Sequence, residues 1–71
     1  MNFIVWLKKS RNEKDTPIGD LARDVIKDIK YNKVKLTSYK SLYKRMEQME
    51  GSSRAFNALK EAYDLYKLYR K

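Results

Sequence analysis

The 71-residue chain contains no cysteine and no histidine. No disulfide can hold it, and the usual zinc staples and the His- or Cys-based catalytic centres are excluded. Two glycines, Gly19 and Gly51, stand too far apart for a phosphate-cradling loop, and a single proline leaves no room for a proline-rich linker. The longest apolar run covers only residues 3 to 7. It is too short to cross a bilayer, no charged region precedes it and no small-residue cleavage pattern follows, so neither an anchor nor a signal peptide is expected. No metal, other cofactor, small-molecule substrate or membrane partner is expected, and no catalysis by the chain alone. Ser38 and Lys40 stand close in sequence, but such spacings arise by chance in a lysine-rich chain. The absence of cysteine fits a reducing compartment, and the cytoplasm is the expected location.

Acidic residues are also scarce: 9 Asp and Glu stand against 17 Lys and Arg, giving a formal charge of +8. What remains is a globular composition, 42% apolar and 37% charged, of a length that fits one domain over residues 1 to 71. A core of this size supplies only a few kcal/mol, about 3–5 by the usual scaling, so a partner could help to hold it.

Hydrophobic spacing predicts four short helices. Asn2 is placed to cap the first, about residues 3 to 10, with Phe3, Trp6 and Leu7 at i, i+3 and i+4. Thr16 and Pro17 form a cap and first-turn pair for the second, where Ile18, Leu21, Ala22, Val25, Ile26 and Ile29 repeat on one face. Residues 30 to 37 lose the helical period; Val34 and Leu36 alternate with charge, but a lone strand has no partner, so a loop is expected. Thr37 or Ser38 caps a third helix carrying Tyr39, Leu42, Tyr43, Met46 and Met49, which Gly51 is expected to stop in a left-handed conformation. Ser52 or Ser53 caps a fourth over about residues 54 to 69, with Phe56, Leu59, Ala62, Tyr63 and Tyr66 facing inward.

Asp15-Thr16-Pro17-Ile18-Gly19-Asp20-Leu21-Ala22-Arg23-Asp24, with Trp6-Leu7 upstream, resembles the signature of the bacterial YozE-like family. The closing run Ala55-Phe56-Asn57-Ala58-Leu59-Lys60-Glu61-Ala62-Tyr63-Asp64-Leu65-Tyr66 is similar to that family's last helix, so the likeness spans nearly the whole chain. The resemblance implies an all-α fold, a compact bundle of four short helices like sterile alpha motif (SAM) domains. Domains of that shape bind proteins in some lineages and nucleic acids in others, so the fold does not choose between them.

The charge is unevenly spread. Between Asp28 and Glu47 there is no acid, while Lys30, Lys33, Lys35, Lys40, Lys44 and Arg45 supply six of the eight net charges. Such repulsion is expected where cations meet phosphates, although a solvated lysine face is the plainer alternative. Tyr31, Tyr39 and Tyr43 lie in the same segment, and rings beside cations suit single strands. By spacing Tyr39 and Tyr43 belong to the core, which leaves Tyr31 to stack. Lys8, Lys9, Arg11 and Lys14 form a second basic group around the first turn, which would join the first group if that turn approached Lys33.

Asp20, Asp24 and Asp28 recur at i, i+4 and i+8. They span about 12 Å, too far for one cation with ligands at about 2.3 Å. Pairing with the neighbouring Arg23 and Lys27 is expected, with a protein contact as the second reading. The fourth helix carries more apolar residues than one face can hold: Ala58, Leu65 and Leu68 form an edge for a partner protein or a second copy. The first expectation is therefore a non-catalytic nucleic-acid-binding module of low sequence specificity, for single-stranded or duplex DNA rather than RNA. It could serve as an accessory subunit of a larger replication, recombination or mobile-element protein. The alternative is a SAM-like protein–protein adaptor without nucleic-acid binding. Membrane attraction ranks last, because the third helix needs its apolar face for the core.

Overall fold

The computed structural model describes residues 1–70. Its first helix, α1 (Phe3–Lys8), begins where the Asn2 side-chain oxygen accepts a hydrogen bond from the Val5 amide at 2.9 Å. The chain does not continue as α-helix to residue 10. After Leu7 the i+3 and i+4 positions are Ser10 and Arg11, which give the core nothing to hold, and the backbone tightens into a 3₁₀ turn, Lys9–Asn12.

Thr16 starts α2 (Pro17–Asn32), its hydroxyl oxygen accepting from the Gly19 amide at 3.0 Å while Pro17 fills the first turn. The helix passes the last apolar position, Ile29, by three residues, so Lys30 and Tyr31 lie on a helix and not in the expected loop. The Asn32 side-chain amide donates to Asp28 at 2.6 Å and closes this extra turn. Lys33 then reverses the chain with φ 57°, a left-handed conformation that costs a residue with a Cβ about 1–2 kcal/mol. Leu36 is buried just beyond it and Val34 packs on the core, which offsets that cost.

Ser38 caps α3 (Tyr39–Gln48) in a reciprocal box: its hydroxyl accepts from the Ser41 amide at 3.2 Å, and the Ser41 hydroxyl accepts from the Ser38 amide at 3.0 Å. The left-handed residue that ends this helix is Glu50, with φ 54°, and not Gly51. The Glu50 amide donates to the Glu47 carbonyl at 3.1 Å and the Gly51 amide to the Met46 carbonyl at 2.9 Å, a Schellman closure set one residue earlier than the glycine. Ser52 caps α4 (Ser53–Arg70) by accepting from the Ala55 amide at 3.2 Å.

The last helix is the common support, since α1, α2 and α3 all pack on it, while α1 and the 3₁₀ turn also pack on α2. Leu7 and Leu59 are fully enclosed, and Ala22 and Ala62 have no exposed surface. Around Phe3 the rings of Tyr39, Tyr63 and Tyr66 meet at centroid distances of 6.0, 5.3 and 5.5 Å, joining α1, α3 and α4 through one aromatic cluster. The Tyr66 hydroxyl donates to the Met1 carbonyl at 2.7 Å and holds the segment before α1. In contrast to this convergence, α2 and α3 scarcely touch one another.

Replacing Glu50 by glycine should relieve the left-handed cost and raise the unfolding free energy by about 1 kcal/mol, measured by urea denaturation followed by circular dichroism. An unchanged midpoint would mean that the reversal carries no strain.

Candidate nucleic-acid interface

The two flanks of α2 differ in charge: its aspartates share one flank with Lys27. Asp20, Asp24 and Asp28 fall on one side of its buried stripe, and Arg23 and Lys30 fall towards the other. The second flank receives the 3₁₀ turn through Arg23. Its guanidinium donates to the backbone carbonyls of Arg11 at 2.9 Å and Glu13 at 2.6 Å and also pairs with Asp20. Gly19 permits this approach, because a Cβ there would collide with the Glu13 carbonyl and come within 2.9 Å of the Thr16 hydroxyl. The sequence reading paired Arg23 with its neighbouring aspartates; that holds for Asp20, but the longer-range carbonyl contacts fix the turn.

Val5, Lys8, Lys9, Arg11 and Ile26 consequently line an open groove of about 430 Å³ between α1, the turn and α2. Lys30 lies one turn beyond Ile26 on the same side of α2, with Lys33 and Lys35 exposed in the connection that follows. The structure thus gathers Lys8, Lys9 and Arg11 against Ile26 of α2. Lys14 lies exposed in the segment between the 3₁₀ turn and α2, and is not among the groove's lining residues. Lys40 and Lys44 stack one turn apart on the exposed side of α3, away from the buried Leu42 and Met46, and form a separate basic ridge.

Arg45 does not belong to that ridge. It reaches across to α2, where its Nε and Nη2 donate to the two carboxylate oxygens of Asp28 at 2.8 and 3.0 Å. The side chains are 23% and 15% exposed, so this is a half-sheltered bidentate pair, and a cation so engaged is poorly placed to meet a phosphate. Its hydrogen bonds, joined by that from Asn32, hold the Asp28 carboxyl below its ordinary value against the opposing effect of burial; the Arg45 guanidinium is correspondingly raised.

Tyr31 is 69% exposed, with the Lys30 ammonium 5.5 Å from its ring centroid. The other tyrosines of the segment are engaged: Tyr39 stacks on Tyr63 at 4.3 Å, and Tyr43, though partly exposed, lies 5.3 Å from Phe56. Of the three, Tyr31 is the one open to a stacking base, but it stands on the acidic flank of α2 and not over the lysine-lined groove.

At the end of α4, Leu65 and Leu68 are 45% and 65% exposed, and Tyr69 extends their edge. Tyr69 was visible in the sequence as i+4 from Leu65. Ala58 does not join this edge: it is 3% exposed, four residues before the buried Ala62 on the inward stripe. Val5 and Ile26, the apolar floor of the basic groove, carried no sequence signal beyond their place in core-like patterns.

Among the described residues, no helix is long and apolar enough to cross a membrane, and no group of three or more acidic, histidine or cysteine side chains is placed to hold a metal. Fold and surface together define a small, strongly basic, all-helical domain of the SAM-like type. The chain belongs to the family described as YozE SAM-like fold, which matches residues 2–68. No curated protein and no solved structure matches it.

The Asp28 carboxyl, held low in the fold, stabilises the protein fully above its unfolded value of about 4, and that contribution is lost as pH falls through the folded value. Asp28→Asn should therefore melt lower than wild type at pH 7, with the gap closing as pH falls below about 4 in thermal melts. A gap independent of pH would show that packing, and not the charge pair, is responsible.

Proposed function

We propose that this chain is a non-catalytic, cytoplasmic nucleic-acid-binding module of low sequence specificity, acting beside a larger DNA replication or mobile-element enzyme that supplies the chemistry. The observation that carries this reading is the distribution of uncompensated cations. Lys9, Arg11, Lys14, Lys30, Lys33, Lys35, Lys40 and Lys44 are exposed and Lys8 half-exposed, and none enters the ion pairs found among the described residues. The carboxylates of α2 are held on its opposite flank. A polyanion can approach the groove and the α3 ridge without displacing an internal partner, and release of its condensed counterions would drive association.

Arg45 is engaged by Asp28 and Arg23 by the backbone around the 3₁₀ turn, so Arg11 is the guanidinium this surface presents and its other cations are lysines. Lysines act as point charges, which supports backbone contact without sequence preference. The apolar edge at Leu65, Leu68 and Tyr69 favours a second reading, an adaptor that docks on a larger protein through this end of α4. The two readings are compatible, because Leu65, Leu68 and Tyr69 are not among the residues that line the basic groove.

Fluorescence anisotropy with labelled single-stranded and duplex DNA over a salt series tests the first reading. Log affinity should fall linearly with log salt, with slope about −0.9 per phosphate neutralised on duplex and about −0.7 on a single strand. Changing Lys35, Lys40 and Lys44 together to Glu, or Lys8, Lys9 and Arg11 together to Glu, should weaken binding at least tenfold with helicity unchanged. Binding that ignores both sets of changes sinks the proposal. For the adaptor reading, Leu68→Asp should leave thermal stability within about 0.5 kcal/mol of wild type while abolishing capture of the partner enzyme. A large loss of stability instead would make that residue part of the core.

A further inference from the structure

Between Leu7 and Ile18 no residue is buried. This stretch carries Lys8, Lys9, Arg11 and Lys14 against Glu13 and Asp15, so neither apolar burial nor charge balance holds it in place. Its 3₁₀ turn closes locally, the Glu13 amide donating to the Ser10 carbonyl at 3.0 Å, and Asp15 takes a left-handed conformation, φ 59°, before the chain enters α2. The hydrogen bonds that fasten the turn to the body of α2 come from the half-buried Arg23, whose Nη1 donates to the carbonyls of both Arg11 and Glu13. Its Nη2 pairs with Asp20, one turn earlier on the same helix, which aims the fork.

Arg23 is thus a cation placed beside a cationic turn, and Asp20 offsets the repulsion that this placement creates. Gly19 completes the arrangement, because a Cβ there would collide with the Glu13 carbonyl, one of the two oxygens that Arg23 holds. Two separate features of α2, a fork and a missing side chain, converge on one carbonyl of the turn. In its held position the turn sets Lys9 and Arg11 beside Lys8 in the groove lining. Released, the turn would let repulsion separate those cations, and a polyanion would then bear the entropic cost of ordering them.

We infer that Arg23 is a positioning residue of the nucleic-acid surface: it sets affinity without touching phosphate, by holding the turn that carries Lys9 and Arg11 into the groove. The inference rests on the reading of that groove as a polyanion site. It adds a coupling, since a turn whose order favours phosphate binding is itself ordered by bound phosphate to the same extent.

Anisotropy titrations of the full chain with labelled duplex and single-stranded DNA over a salt series separate this inference from the reading beneath it. Arg23→Lys keeps the charge, but its ammonium ends one bond short of Nη1 and has no fork. Gly19→Ala changes no charge and displaces the Glu13 carbonyl. Each should weaken binding severalfold with helicity unchanged, and should flatten the duplex salt slope by up to about 1.8, two phosphates at about 0.9 each. In a chain carrying Lys9→Gln and Arg11→Gln, Arg23→Lys should have no further effect, whereas beside Lys40→Gln and Lys44→Gln its effect should add. In the wild-type chain, which needs no variant to fold, bound DNA should slow hydrogen exchange at the Asn12 and Glu13 amides. Affinity and slope retained by both variants, an equal loss from Arg23→Lys in the two backgrounds, or exchange at those amides that DNA leaves unchanged would overturn the inference and leave the nucleic-acid reading standing. Absence of binding by the wild-type chain would overturn both.

Discussion

Everything in this fold leans on the inward stripe of α4. Ala58, Leu59, Ala62 and Tyr66 are buried along it, and the Tyr66 ring meets Phe3 and Trp6 of α1. With no cysteine, no histidine and only 71 residues, no second device shares this role. A large-to-small change at a fully enclosed position such as Leu59 costs about 2–5 kcal/mol elsewhere, comparable to the whole stability expected of such a chain. The small, aromatic-rich character of the last helix is thus a packing requirement before it is anything else.

Anchoring three helices on one has a geometric consequence. Two helices packed on a common support need not meet each other, and α2 and α3 do not close on one another. Their separation is bridged by Asp28 and Arg45, residues 17 apart in sequence, whose bidentate geometry fixes distance and orientation together. The cleft beneath that bridge is lined by Leu21, Val25, Leu42 and Met46, which are themselves buried, with the exposed Tyr31 and Met49 at its walls. The same bridge removes a cation from the α3 surface, so one contact shapes both the recess and the basic ridge.

How much of this was legible beforehand follows from the range of each interaction. The helices, the caps at Asn2, Thr16, Ser38 and Ser52, and the family signature are local patterns of three to eleven residues, and the structure keeps them. The extension of α2 through Lys30 and Tyr31 was hidden because it has no apolar position, only the Asn32–Asp28 hydrogen bond. Glu50, not Gly51, adopts the left-handed turn because the helix end, set by Leu42 and Met46 in the core, falls one residue short of the glycine. Arg45 was counted with the lysines because a charge run says nothing about which member has a carboxylate across a helix pair. Ala58 was placed on the outer edge although its spacing to Ala62 already put it inside. The groove at Val5, Lys8, Lys9, Arg11 and Ile26 depends on Arg23 binding two backbone carbonyls and on the missing side chain of Gly19, neither of which periodicity records.

The separation of charge across α2 bears on why so basic a chain folds at all. Eight net positive charges on a domain with a radius of gyration of 11.1 Å repel one another across distances comparable to the Debye length of about 8 Å at physiological salt. The aspartates do not spread evenly to relieve this; two of them sit against Arg23 and Arg45, where they neutralise cations that structure needs close to the chain. The lysines that no structural contact uses remain at the surface, and their mutual repulsion raises the free energy of the compact state. Under the proposed function a bound polyanion would remove that repulsion and stabilise the fold by mass action, since the folded state presents these lysines on a fixed surface. A thin core and a crowded basic surface then meet in one arrangement: a single carboxylate, Asp28, ties α2 to α3, and the excess positive charge stands at the surface, where the proposed polyanion would match it.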